Sequence, residues 1–320
     1  MPGTSSPLPL RAWWARRSPA GGAAVMATGI VSVGLLLAGH AVLSRVALGV
    51  ACAAWLGFAA AFAARLVFER ERWAAEAETP GALTAVAGTA VLGTRFSLLG
   101  RQVLAEALLA LAAALWPVLL APVVRHWGRR MPGTAFMGCV ATQALAVSAA
   151  VLADATSTAW LAHTALVLFW LGLLVYALAL ARFDPRQVVE GAGDQWIAGG
   201  ALAISALAGA RLIAADSPHL YLWSDDDRDV LRTLTVALLV LDLACYAVLL
   251  FAEAVRPRPG YDVRRWSTVF PMGMTAAATL SVGATVGIPW LRGPGVVLVW
   301  ISVAAWLATV VGAITSTARR

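Results

Sequence analysis

"RRWSTVFPMGMTAAATLSVGATVG", residues Arg264–Gly287, opens with two arginines and then runs apolar for a membrane-length stretch. Most of its residues are small: Ser, Thr, Gly and Ala. One bulky aromatic, Phe270, sits among them with Pro271 directly behind it. Small residues in a membrane helix let backbones approach closely. Hydroxyls and exposed backbone also suit a polar pathway, because lipid cannot satisfy them. The stretch therefore predicts an inner helix of a membrane protein.

The rest of the chain agrees with that environment. Of 320 residues, 60% are hydrophobic and 13% charged, and the mean hydropathy is +0.78. Soluble domains carry about 25% charged residues, roughly twice as many. Apolar runs of about 20 residues recur along the chain, each long enough to cross a hydrocarbon core of about 30 Å. Their positions predict an all-α integral membrane protein with ten spans: 19–38, 47–66, 81–99, 104–123, 134–152, 162–181, 195–213, 231–250, 268–287 and 294–313. These form one transmembrane domain over 19–316, between tails 1–18 and 317–320. The tails are too short for a regulatory domain, although Ser5 and Ser6 are open to modification. The first residues, "MPGTSSPLPLRAWWARRSP", lack the short apolar core and small-residue cleavage site of a signal peptide.

All 24 basic residues are arginine, which excludes lysine Schiff-base and lysine-nucleophile chemistry. The net charge of +7 does not signal a nucleic-acid partner, since the arginines lie in short connections beside the spans. With ten spans, 17 arginines fall on the side of both termini and 7 on the other. The positive-inside rule then puts both termini in the cytoplasm, here of a bacterial inner (cell) membrane. Cys52, Cys139 and Cys245 are scattered singly through apolar runs and predict no disulfide.

The spans alternate in character. In 19-residue windows the odd spans hold 29 Gly, Ser and Thr, the even spans 10. Such a period of two is expected of five helical hairpins, each placing its odd helix inside and its even helix outside, around a central pore. Packing alone explains any single small-residue helix; five in alternation favour a pore. The odd spans hold almost no ionised side chains away from their ends. Candidate pore-lining groups are Thr28, Ser32, Thr89, Thr142, Gln143, Ser205 and Thr275. Selection in such a pore would then rest on hydroxyls, backbone N–H groups and helix dipoles.

Four stretches carry a family likeness: "AAVMATGIVSVG" in span one, "VAGTAVLGT" in span three, "GDQWIAGGALAISALAG" entering span seven and "WSTVFPMGM" in span nine. In this order the chain resembles the tellurite-resistance/dicarboxylate transporter family. That family includes the bacterial tellurite-resistance channel homologue, yeast malate and sulfite carriers and the plant guard-cell slow anion channel. The resemblance implies a narrow pore in each protomer of a homotrimer, blocked by a phenylalanine of the ninth helix. Phe270 is the matching residue, and Pro271 is expected to kink the helix behind it. The substrates implied are small anions: C4-dicarboxylates such as malate, or sulfite, chloride, nitrate and tellurite-related oxyanions. Neither a cofactor nor a metal is implied. By composition alone, packing against a neighbouring helix is the better reading of Phe270; the resemblance reverses that in favour of a plug.

Three further features compete for chemistry. Asp242 lies mid-span in "LLVLDLACYAVLL", where a carboxylate is expensive; proton coupling and structural bonding both remain open. "SDDDRD", Ser224–Asp229, looks like half of a metal–diphosphate site, and an integral-membrane enzyme acting on a lipid phosphate at Asp225–Asp229 is the rival reading. No second aspartate cluster accompanies it, so a solvated loop is expected there. His40, His126, His163 and His219 lack metal-ligand spacing. In "GDQW", Asp194 is expected to cap span seven.

Overall fold

The computed structural model describes residues 21–216, 225–258 and 260–318. The expected tail 1–18 and its Ser5 and Ser6 lie outside them. Ten main helices follow one another: α1 (Gly21–Leu37), α2 (Ala41–Phe68), α3 (Thr84–Ser97), α4 (Gln102–Arg125), α5 (Met137–Thr156), α6 (Ala159–Leu180), α7 (Trp196–Ala215), α8 (Asp225–Val255), α9 (Trp266–Val286) and α10 (Arg292–Ala318). Each overlaps one of the predicted apolar stretches in order, and α2, α8 and α10 run furthest beyond theirs. No strand occurs among the described residues; one isolated bridge, Met131 to Phe183, ties two connections together.

Eight of these helices are long and apolar enough to cross a membrane, all except α1 and α3. The two exceptions have 17 and 14 residues. A turn of 3₁₀-helix, Pro80–Leu83, leads directly into α3. At about 2.0 Å per 3₁₀ residue and 1.5 Å per α residue, the combined segment rises roughly 29 Å. Polypeptide surrounded by protein rather than lipid does not need to be a single regular helix.

Neighbour relations arrange the helices in two shells. α1 packs on α3, α3 on α5, α5 on α7, α7 on α9 and α9 on α1, which closes a circuit. Each even helix lies against the odd helix before it and the odd helix after it: α2 against α1 and α3, and so on to α10 against α9 and α1. Burial follows the same division. The apolar windows of α5, α7 and α9 are 100, 78 and 89% buried, whereas those of α2, α4, α6, α8 and α10 are 22 to 33% buried. The even helices present Val42, Leu56, Val103, Val167, Phe251 and Ile314 outward. So much continuous apolar surface is stable only against lipid or another apolar face.

The sequence puts small residues where this packing needs them. A Cβ added at Gly200 of α7 would stand 2.9 Å from Pro271 Cγ, and one added at Gly273 of α9 would stand 2.9 Å from Ile30 Cγ2 of α1. The two glycines let α9 nest between α7 and α1 at backbone distance. α9 runs unbroken through Pro271, which falls in its second turn. There the missing N–H deprives only the Ser267 carbonyl of its helical partner.

Candidate functional site: a closed axis

Inside the circuit of odd helices is a void of about 10 Å³. Every odd helix contributes to its wall, including Ile30, Val91, Thr94, Ala144, Ile204 and Met274. One water needs roughly 10–15 Å³, so the axis is shut at this level. Its lining is aliphatic apart from Thr94. Phe270 precedes Met274 by four residues on α9, about one turn back on the same face. It is 2% exposed and belongs to the main buried cluster.

The hydroxyls expected along the axis are turned away from it. Thr28, Thr89 and Thr142 each donate to the carbonyl four residues earlier: Ala24, Ala85 and Gly138, at 2.7, 2.7 and 2.8 Å. Each also accepts an indole N–H from an outer helix. Trp306 of α10 donates to Thr28 at 2.9 Å, Trp55 of α2 to Thr89 at 2.9 Å, and Trp116 of α4 to Thr142 at 3.0 Å. These are three copies of one clamp, in which an even helix grips the odd helix of the next pair. Thr28, Thr89 and Thr142 each lie two residues before an axial residue (Ile30, Val91, Ala144). At about 100° per residue that spacing puts them on the far side of the helix.

The remaining candidates also leave the axis. Ser32 donates to the Ser44 carbonyl at 2.7 Å, and its hydroxyl accepts from Arg95 Nε at 3.1 Å. Arg95 Nη2 reaches Ser44 Oγ at 2.8 Å, so this buried guanidinium knots α1, α2 and α3 together. Gln143 Nε2 donates outward to the Phe169 carbonyl of α6 at 3.0 Å. Ser205 donates to Ala201 at 2.7 Å and lies 3.9 Å from Cys139 Sγ in the α5–α7 seam. Thr275 donates to Asp242 Oδ1 of α8 at 3.0 Å. Asp242 is fully buried, and its Oδ2 has no partner among the described residues.

The rival cluster is only partly described: the side chains of Asp225 and Asp226 lie outside the described residues. Asp227 and Asp229 are exposed on the first turn of α8, and Arg228 between them pairs with Asp216. No group of His, Cys, Asp or Glu able to hold a metal occurs among the described residues. At the start of α7 the capping residue differs from expectation. Asp194 makes no side-chain cap there; Gln195 Oε1 instead accepts from the Gly193 N–H at 2.8 Å, and its amide donates to the Gly191 carbonyl at 3.3 Å.

Two shells of helices, the outer one apolar towards its surroundings and the inner one closed on an axis, define a multi-pass membrane protein. Over residues 17–314 the chain matches the model of the voltage-dependent anion channel family, and it belongs to that family. No curated protein matches it. Family membership makes it a membrane protein of the anion channel and transporter class.

Proposed function

We propose that the chain passes small anions along the axis of its odd helices, and that Phe270 plugs this path. One observation carries the proposal: Phe270 shares a face of α9 with Met274, which walls the axial void of about 10 Å³. In this reading all ten helices span a bacterial inner membrane as five hairpins, with both termini cytoplasmic. The closed circuit of odd-helix contacts supports it. The protomers form a homotrimer through the apolar outer helices. The permeant species are C4-dicarboxylates such as malate, or sulfite, chloride, nitrate or tellurite-related oxyanions, and the chain is not an enzyme.

The outward-turned hydroxyls change how selectivity works. The path is walled by Ile30, Val91, Ala144, Ile204 and Met274, and its one hydroxyl, Thr94, already donates to the Ala90 carbonyl at 3.0 Å, so it offers an anion no free donor. Such a neck gates by dewetting once the plug has moved, and charge selection falls to arginines at its ends. The test is anion flux into proteoliposomes for wild type and Phe270→Ala, with chloride, nitrate, sulfite and malate compared. A rise of about tenfold or more in the variant is expected. Equal and negligible flux in both proteins would remove the plug and the pathway together.

A further inference from the structure

Beyond the axial void lies a much larger cavity, of about 550 Å³, at the ends of α1, α7 and α9 and the start of α10. Three rows of side chains lead from the void into it. On α1, Ile30 and Val33 line the void and Leu37 the cavity; on α7, Ile204 and Leu207 line the void and Arg211 the cavity. On α9, Met274 lines the void and Ser281 the cavity. The spacings of three, four and seven residues keep each row on one helical face. The cavity is therefore the continuation of the axis on the side away from Phe270.

Its polar equipment is cationic. Arg211 Nη2 donates to Ser281 Oγ at 3.3 Å, and the buried Nε–H has no partner among the described residues. The Nε and Nη2 donors form one edge of the planar guanidinium, the kind of edge that binds two oxygens side by side. Arg292, at the start of α10, also lines the cavity; it is exposed and takes part in none of the ion pairs among the described residues. Asp154 of α5 is the carboxylate whose field reaches Arg211, but no ion pair joins them. Arg232, near the same end, is committed to the Val286 carbonyl at 2.7 Å. The cavity thus holds two guanidinium groups with no carboxylate bound to either among the described residues.

We propose that this cavity is a capture site for a small oxygen-bearing anion. Arg211 supplies the bidentate edge, Ser281 fixes its orientation, and Arg292 adds a second positive charge to the lining. The volume admits the anion with part of its hydration shell, which it sheds only at the void. Nitrate and a carboxylate present the same pair of oxygens, so the shared chemistry is an oxyanion with two acceptors in one plane. The proposal rests on the anion-transport reading for its purpose, but binding at Arg211 can be measured without flux.

The experiment uses the full chain in lipid nanodiscs. Its thermal midpoint is titrated with sodium nitrate or sodium malate, and chloride makes up constant ionic strength. Ligand that binds only the folded state raises the midpoint with concentration. A saturable rise is expected in wild type. Arg211→Gln should raise the half-saturating concentration at least tenfold, and the exposed Arg292→Gln severalfold. Saturation by nitrate but not malate assigns the site to inorganic oxyanions, and the reverse to carboxylates. Absence of any saturable rise for either, or an unchanged half-saturation in a folded Arg211→Gln protein, overturns the proposal. If Arg211→Gln does not fold, an unchanged half-saturation in Arg292→Gln and Arg211→Lys together does the same. Failure of Phe270→Ala to pass anions would sink the transport reading alone and leave the nitrate titration to decide this one.

Discussion

Thr275 donates its hydroxyl proton to Asp242 across the α8–α9 contact at 3.0 Å, one turn beyond Pro271 on the helix that carries Phe270. The bond occupies the same kind of slot as the three Trp–Thr clamps: an even helix holding the odd helix of the next pair. Here the partner is a carboxylate, and it accepts where the indoles donate. The geometry is that of a brace on α9. Asp242→Asn keeps an acceptor for Thr275 and is expected to leave anion flux, and the response of flux to a pH gradient, unchanged. Asp242→Ala leaves a buried hydroxyl without its acceptor and should cost about 1–3 kcal/mol of stability. Flux that loses its dependence on a proton gradient in the Asn variant would make Asp242 a coupling residue instead.

Gly200 and Pro271 touch at a distance that no larger residue permits. The Cβ of Gly200→Ala would meet the proline ring at 2.9 Å, on a backbone-held group that cannot rotate aside. Overpacking of this kind costs about 1–3 kcal/mol. Because the displaced turn contains Phe270, we expect a lower thermal midpoint together with a higher basal flux in proteoliposomes. A lower midpoint with unchanged flux would separate the seating of α9 from the plug.

Thr89→Val tests the outward hydroxyls. The substitution keeps the shape but leaves the indole of Trp55 without its acceptor, a loss of about 0.6 kcal/mol on average for hydrogen bonds between membrane helices. A small fall in the thermal midpoint is expected, with the relative permeability of chloride and nitrate in the Phe270→Ala background unaltered. A changed permeability ratio would return Thr89 to the path.

Val91 faces the void, so the same kind of exchange made there has the opposite consequence. In the Phe270→Ala background, Val91→Thr adds a hydroxyl to the aliphatic neck at constant shape and favours its wetting. Flux is expected to rise by about threefold or more over Phe270→Ala alone. If flux stays level, the neck does not limit conduction.

Much of this architecture is legible along the chain because it is written in composition. Lipid forces outer helices to be bulky and apolar, and close backbone packing forces inner ones to be small, so the alternation of α1 to α10 appears as a period of two. Which face a hydroxyl takes is a different kind of fact. Thr28, Thr89 and Thr142 satisfy themselves on their own helix and then accept from tryptophans 278, 34 and 26 residues away, partners that no local pattern names. A signal was nevertheless present. Each of these threonines lies two residues before Ile30, Val91 or Ala144, and only one residue of such a pair can face the axis. Arg211 ends a span and so has the sequence pattern of a topology marker. Its role appears only when the rows of α1, α7 and α9 are seen to converge on one cavity. The cap expected of Asp194 does not form, and the Gln195 amide instead ties Gly191 to Gly193 in the connection ahead of α7.

The clamps also set a schedule for making the protein. Trp55 and Trp116 reach threonines that emerge from the ribosome soon after them, so each can close while later helices are still unmade. Trp306 must find Thr28, which was synthesised 278 residues earlier. Until α10 enters the bilayer, the seam between α9 and α1 lacks its outer cover, and a chain stalled before that point has a side open to lipid. The contact between the first helix and the last is therefore among the latest to form.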